Sequence, residues 1–186
     1  EGGLLTVPSR ATKKEAVLVA QQNAAWLYAK IRDRPIRQMF YDGYVLSLLD
    51  NRVTIRHAPE ERSGVQLDGS ELIVSGQAEH LQRRVFDWLK GHTKDVIAPR
   101  AEIMADQLGK KIGKISVRNT RSRWGSCSHT GNLSFCWRLI LTPNWVLNYV
   151  IAHEVSHLAH MNHGPAFWKT VETFEVETDR ARTWLN

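Results

Sequence analysis

The spacing of apolar residues changes along the first half of the chain from helical to strand-like. After Thr12 apolar positions recur every three or four residues, and Glu15 completes the spacing of a capping box, which predicts a helix that ends near Pro35. A short strand is predicted before this helix, at Leu4–Pro8. Four strands should follow as two hairpins, Tyr44–Leu49 with Arg52–His57 and Val65–Leu67 with Glu71–Ser75.

The second half opens with a long helical pattern from Ala78 to about Leu108, which Pro99 is expected to kink or divide. A short strand is predicted at Ile115–Val117, followed by a polar loop at residues 119–128. Apolar and polar residues then alternate from Leu133 to Leu141, which predicts a strand.

The next helix is the most apolar of the chain. Thr142 should cap it, Pro143 should occupy its first position, and it should run to about His160. Its residues are apolar nearly all round, which is typical of a buried helix. Shorter helices are predicted at Pro165–Phe174 and Asp179–Leu185.

These elements predict an α+β fold, in which a small mixed or antiparallel sheet packs on helices around one central buried helix. Residues 1–77 are expected to form an N-terminal region of strand, helix and hairpins, and residues 78–186 the core, unless both belong to one continuous domain.

Composition indicates a globular protein that folds without a stabilising metal. The chain has 186 residues, of which 42% are hydrophobic and 24% charged. This length can bury a sizeable core, so a metal would more plausibly be catalytic than structural. We find neither an apolar run long enough to span a membrane nor a signal-peptide pattern. Two cysteines, Cys127 and Cys136, favour free thiols in the cytoplasm, although one bridge between them is conceivable.

The formal net charge is +6 at pH 7. Lysines and arginines are spread along the chain, which is compatible with an ordinary solvated surface. The alternative is attraction to a polyanion, so nucleic acid is a further candidate partner. The sequence does not indicate an oligomeric state.

The apolar helix carries His153, Glu154 and His157 in the pattern H-E-x-x-H. Residues four apart lie on the same face of a helix, so both imidazoles can bind one Zn²⁺. Glu154 would then stand beside the open position of the metal, where it can act as the base for a water molecule. A buried hydrogen-bonded network is the alternative, but burying these groups without pairing or metal costs several kcal/mol.

A catalytic zinc needs a third protein ligand. His160 lies about 10 Å along the helix axis from His153, too far to share an ion while the helix stays regular. His163 follows Asn162 and precedes Gly164 and Pro165, a sequence that can end a helix and return the chain to the ion. We therefore predict His163 as the third ligand, with His160 as the alternative and the two cysteines as more remote ones.

Three segments together resemble the YgjP-like family of metal-dependent hydrolases, which is related to SprT-like metallopeptidases and to the zincins. The segments are residues 121–128 (RSRWGSCS), residues 133–139, and residues 153–168, which contain HEVSHL, NH and AFW. The resemblance implies a zincin-like fold, a zinc ion held by His153, His157 and His163, and Glu154 as catalytic base. It also marks residues 123–127 as a family motif without stating a role.

The resemblance implies a zinc metallopeptidase that cleaves amide bonds of peptides or proteins. In zincins the strand before the metal helix commonly pairs with an extended substrate, and here that edge strand would be Leu133–Leu141. Alternative functions are an amidase for a small molecule or a modified peptide end, and a zinc-containing module that binds nucleic acid without catalysis. Arg123, Arg138 and His160 are candidates for a second group that stabilises the oxyanion. The motif at residues 123–127 should pack near the site or, alternatively, form a structural turn with Trp124 in the core.

Overall fold

The computed structural model describes residues 6–8, 10–26, 28, 40–174 and 176–185. Two compact units are present, residues 1–39 and residues 40–186. In the first, helix α1 spans Lys13–Gln22 and begins with the predicted capping box: Oε2 of Glu15 accepts from the backbone N of Thr12 at 2.7 Å, and Oγ1 of Thr12 accepts from the backbone N of Glu15 at 3.3 Å. The predicted strand Leu4–Pro8 and the helix end near Pro35 fall partly or wholly outside the described residues.

The second unit begins with a four-stranded sheet in the order β1-β2-β4-β3. Its strands are β1 (Val45–Leu48), β2 (Asn51–Ala58), β3 (Val65–Asp68) and β4 (Glu71–Ser75). Both predicted hairpins are confirmed as antiparallel pairs. The hairpins are joined by a parallel pairing of β2 with β4, so the sheet is mixed.

Helix α2 spans Leu81–Gln107 without interruption and follows a 3₁₀ turn at Ala78–His80. Of the two outcomes predicted for Pro99, division of the helix is wrong, and a kink stays a prediction. Fully buried Leu89 lies before the proline and fully buried Ala101 after it, in the same hydrophobic core. Burial on both sides of Pro99 outweighs the lost backbone hydrogen bond, because tertiary packing commonly overrides local propensity.

A second sheet has three strands in the order β5-β7-β6. They are β5 (Ile115–Arg118), β6 (Gly125–Cys127) and β7 (Leu133–Cys136), with β7 parallel to β5 and antiparallel to β6. Residues 125–127 were predicted as loop, so this prediction is corrected. The Leu133–Leu141 strand is also corrected: it stops at Cys136 and lies in the middle of the sheet, not at its edge.

Residues Trp137–Leu141 form a 3₁₀ helix instead of continuing the strand. Leu139 and Ile140 are both fully buried, which a strand with one buried face would not allow for neighbouring residues. The backbone carbonyl of Trp137 accepts a hydrogen bond of 3.0 Å from the hydroxyl of buried Thr93 on α2. Packing on both sides of this segment therefore decides its conformation against the alternating pattern.

Three helices complete the unit: α3 (Asn144–Ser156), α4 (Pro165–Glu172) and α5 (Thr178–Leu185). Helix α3 is shorter than predicted at both ends. Thr142 does not cap it, since its hydroxyl donates to the carbonyl of Leu139 at 2.8 Å, and Pro143 takes the position before the helix. The α+β class with small sheets packed on helices is confirmed.

Residues of both sheets and of α2 to α5 contribute to one hydrophobic core. The division predicted between residues 77 and 78 stays a prediction, since it concerns independent folding. Within the described part of the chain, no helix combines the length and the apolar character needed to cross a membrane.

Candidate metal centre

Helix α3 brings His153 and Glu154 into the interior of the protein. Val150, Ile151 and Val155 around them are buried, and Glu154 itself is only 6% exposed. The helix ends at Ser156, and His157 is the residue that caps it. Because His153 and His157 are one turn apart, their rings lie next to each other, with centroids 5.0 Å apart.

The chain reverses direction between His160 and Pro165, as the sequence predicts, although the regular helix already ends at Ser156. The backbone N of His160 still bonds to the carbonyl of Ser156, but Gly164 is extended and Pro165 starts α4. This reversal returns His163 to the helix, where its Nε2 lies 3.0 Å from Nε2 of His153. A histidine ten positions from His153 in the chain thus reaches the same point.

His153, His157 and His163 are grouped so that one ligand atom from each lies within 4.8 Å of the others. Among the described residues, His160, Cys127 and Cys136 are not part of such a group. The structure therefore brings together the three predicted ligands and leaves the alternatives aside. Two of the rings are half-buried and that of His163 is exposed, so the group opens on the surface.

The geometry of the three histidines fits a zinc ion. With Zn–N bonds of about 2.0–2.1 Å, tetrahedral coordination separates neighbouring nitrogens by about 3.3 Å, close to the 3.0 Å between His153 and His163. Nδ1 of His157 donates to the backbone carbonyl of His160 at 3.0 Å, which leaves its Nε2 for a metal. Nδ1 of His153 is buried and has no hydrogen-bond partner in the described residues, so this ligand lacks a comparable support.

Burial favours the neutral form of His153 and His157, which is the form a metal ligand requires. Burial, reinforced by the neighbouring histidines and Arg182, lowers the pKa of His153 to about 4. Burial also lowers the pKa of His157, although its bond to the carbonyl of His160 acts in the opposite direction. Both rings therefore offer lone pairs near neutral pH.

Helix α4 supplies an aromatic wall beside the histidines. The ring of fully buried Phe167 lies 4.6–4.9 Å, centroid to centroid, from all three imidazoles. Trp168 stacks on His163 with centroids 5.9 Å apart. These contacts restrict the orientation of the imidazoles, which is what a preorganised metal site needs.

Glu154 lies against strand β6. A Cβ atom added at Gly125 would stand 2.5 Å from both Cγ and Oε1 of Glu154, so a larger residue here would displace the Glu154 side chain or the strand. Burial raises the pKa of Glu154 to about 7, and the positive charge of Arg123 acts against that rise. A carboxyl group with a pKa near neutrality can both accept and return a proton.

The motif at residues 123–127 packs near the site, as one of its two interpretations predicted. Gly125 contacts Glu154, and burial together with Glu154 raises the pKa of the Cys127 thiol to about 11. Trp124 is half-buried and packs against the core. Cys127 and Cys136 are free thiols.

The three candidates for oxyanion stabilisation each interact with a different part of the protein. Arg138 is engaged elsewhere, because its Nη1 donates to the carbonyl of Thr120 at 3.1 Å and its guanidinium lies over Trp137. His160 supports His157 through its backbone carbonyl. The positive charge of Arg123 acts to lower the pKa of Glu154, against the effect of burial.

Sequence reasoning missed two residues beside the metal group, Tyr149 and Arg182. Tyr149 is one turn before His153, with ring centroids 5.9 Å apart. The positive charge of Arg182 acts to lower the pKa of Tyr149 and that of His153. The i, i+4, i+8 spacing of Tyr149, His153 and His157 is the signal that could have identified the tyrosine. Nothing local in the sequence marks Arg182.

The known proteins to which this chain is similar are metallopeptidases. A family model described as the YgjP-like metallopeptidase domain matches residues 2–186. Among solved structures, the chain is similar to the metallopeptidase zymogen abylysin of Pyrococcus abyssi, with 22% identity and a TM-score of 0.41 over 47% of this chain and 86% of that one. No curated protein matches the chain.

Proposed function

The chain belongs to the YgjP-like metallopeptidase family, and we propose that it is a zinc-dependent peptidase with a zincin-type site. In this proposal His153, His157 and His163 hold the metal and Glu154 is the general base. The observation that carries it is the convergence of three imidazoles next to a buried carboxyl group. Neither a structural zinc site nor a simple hydrogen-bonded network needs such a carboxyl group at that place.

When bound, zinc would polarise the scissile carbonyl group and make a water molecule more acidic. Glu154 accepts the proton of the attacking water and transfers it to the leaving amine. Its burial favours this role, because a carboxylate at an ordinary pKa would be a much weaker acid–base partner at neutral pH. Gly125 lets the backbone of β6 come close enough to fix the position of the carboxyl group.

Strand β6 supplies an edge for an extended substrate, in place of the Leu133–Leu141 strand expected from the sequence. The backbone carbonyl of Trp124 accepts a hydrogen bond from the amide of Cys136, and the backbone amide of Ser128 donates one to the carbonyl of Asn132. Both bonds are on the side of β6 that faces β7. In an antiparallel ladder bonded residues alternate with unbonded ones, so the backbone amide groups of Gly125 and Cys127 point to the outer edge of β6. A peptide can pair with them next to Glu154.

This open edge favours a peptide or protein substrate over a small molecule. A small-molecule amidase would be expected to enclose its substrate in a concave pocket. Here His163 is exposed and β6 lies at the margin of its sheet, an arrangement that supports an extended chain. The non-catalytic alternative is disfavoured because it gives Glu154 and Gly125 no role.

The proposal is tested with Glu154→Gln and a matched control, Glu172→Gln, which makes the same change at an exposed position on α4. We expect Glu154→Gln to retain about one zinc per chain and a normal thermal unfolding curve, but to lose cleavage of fluorescein-labelled unfolded casein. An amide keeps the shape of the carboxyl group but cannot accept the proton. Cleavage by Glu154→Gln at the wild-type rate, or an equal loss in Glu172→Gln, would refute the role of Glu154.

A further inference from the structure

Helix α5 and the segment before β6 meet beside the metal group, that is, beside His153, His157 and His163. The indole rings of Trp124 and Trp184 approach to 6.4 Å between centroids, and Trp184 is 46% exposed. Arg123 directly precedes Trp124 and Arg182 lies two residues before Trp184, and both arginines are exposed. We call these four residues the basic rim.

The rim places positive charge close to the reacting groups. The guanidinium of Arg182 lies 5.0 Å from the ring centroid of Trp168, and that ring lies 6.0 Å from His153 and 5.9 Å from His163. One aromatic ring therefore separates Arg182 from the metal group. Arg123 is two residues from Gly125, whose backbone touches Glu154.

Within the described residues, neither rim arginine has a carboxylate within 4.0 Å, whereas Arg56 and Arg180 both form ion pairs. Glu154 is near Arg123, and Asp179 is on the same helix as Arg182, but neither makes such a pair. An isolated exposed arginine is ordinary. Two on segments that meet through a pair of indole rings, with a candidate active site beside them, form a surface suited to anionic and apolar side chains.

We propose that the basic rim selects acidic peptide segments, so that the preferred substrate carries Asp or Glu side chains next to the cleaved bond. This proposal rests on the proposed peptidase function and adds the substrate class. Guanidinium groups bind carboxylates in bidentate geometry, and the indole rings pack against the rest of the peptide. The open edge of β6 supplies backbone pairing without choice of side chain, so the rim provides the selectivity.

The test measures binding, which does not depend on turnover. Two fluorescent twelve-residue peptides, identical except that four Asp/Glu residues in one are Asn/Gln in the other, are titrated by anisotropy into the zinc-loaded Glu154→Gln protein. We expect the acidic peptide to bind about fivefold more tightly at low salt, because each exposed ion pair adds only modestly to affinity. The advantage should shrink at high salt.

Variants assign the effect to the rim. Arg182→Gln should remove most of the fivefold preference, Arg123→Gln should reduce it, and Arg182→Glu should favour a lysine-containing peptide. Arg180→Gln is the matched control, since it is two residues away on α5 but is paired with Glu177 and lies over Trp145. Equal binding of the two peptides, or an equal effect of Arg180→Gln and Arg182→Gln, would overturn the proposal.

Three further results separate this proposal from the others. A single-stranded oligonucleotide of the same charge that binds more tightly than the acidic peptide and depends on Arg182 would overturn it in favour of a nucleic-acid surface. If the wild-type protein cleaves both peptides at equal rates and binds them equally, the rim does not select acidic peptides, but the peptidase function stands. Arg182-dependent binding without cleavage of any peptide would support the rim and refute the peptidase function.

Discussion

The contact between Gly125 and Glu154 leads to the most quantitative prediction. A methyl group at position 125 would lie 2.5 Å from Cγ and Oε1 of Glu154 and 2.7 Å from Cδ. Ordinary contacts between such atoms are about 3.5 Å or longer, so the side chain of Glu154 or strand β6 must move by about 1 Å. Overpacking of this kind costs about 1–3 kcal/mol, which lowers the midpoint of thermal unfolding by roughly 2–12 °C in a chain of this size.

A 1 Å displacement of a catalytic group can reduce the rate by about a hundredfold. We therefore expect Gly125→Ala to keep its zinc, because the histidines are not touched, but to cleave labelled casein about a hundred times more slowly. The matched control is Gly91→Ala: Gly91 lies within α2, has no atom within 4 Å of the added methyl group, and should gain about 0.5–1 kcal/mol. If Gly125→Ala unfolds and cleaves like the wild type, the close approach of β6 to Glu154 is not a constraint and our reasoning fails.

The remaining predictions concern the metal and the charge. His153→Ala and His157→Ala should each reduce zinc from about one ion per chain to near zero by elemental analysis, and full retention in both would exclude the site. His163→Ala should weaken zinc binding in chelator competition about a hundredfold, whereas His160→Ala should have little effect because its support of His157 comes from the backbone; equal losses would mean that the third ligand is misassigned. If the net charge of +6 serves nucleic acid, labelled DNA should bind about tenfold more weakly at 200 mM than at 50 mM salt, and no binding at 50 mM would remove nucleic acid as a partner.

The sequence predicts those parts of the protein that depend on neighbours in the chain. The capping box of α1 needs only Thr12 and Glu15, and each hairpin is marked by its turn residues. The two histidines of the H-E-x-x-H pattern meet because the helix repeat places them one turn apart. Location in the cytoplasm rests on cysteine usage alone and stays a prediction.

The parts that failed depend on contacts between distant segments. Alternation from Leu133 to Leu141 matches a strand, but burial of both Leu139 and Ile140 requires a different backbone there. The shortness of β6 hides it from a pattern search, and its pairing with β7 is what makes it a strand. Pro99 is tolerated because α2 packs on both sides of it.

The same distinction between local and distant segments separates the proposed metal site from the proposed substrate-binding surface. The residues that we propose for the metal site are encoded locally, in α3 and in the reversal that returns His163, so the sequence alone can point to them. Selection of the substrate depends instead on β6 and the basic rim, which are assembled from segments about sixty residues apart in the chain. Substitutions in the rim should therefore change which peptides bind while leaving zinc content unchanged. A rim variant that loses its zinc would show that the two functions are not separable in this way.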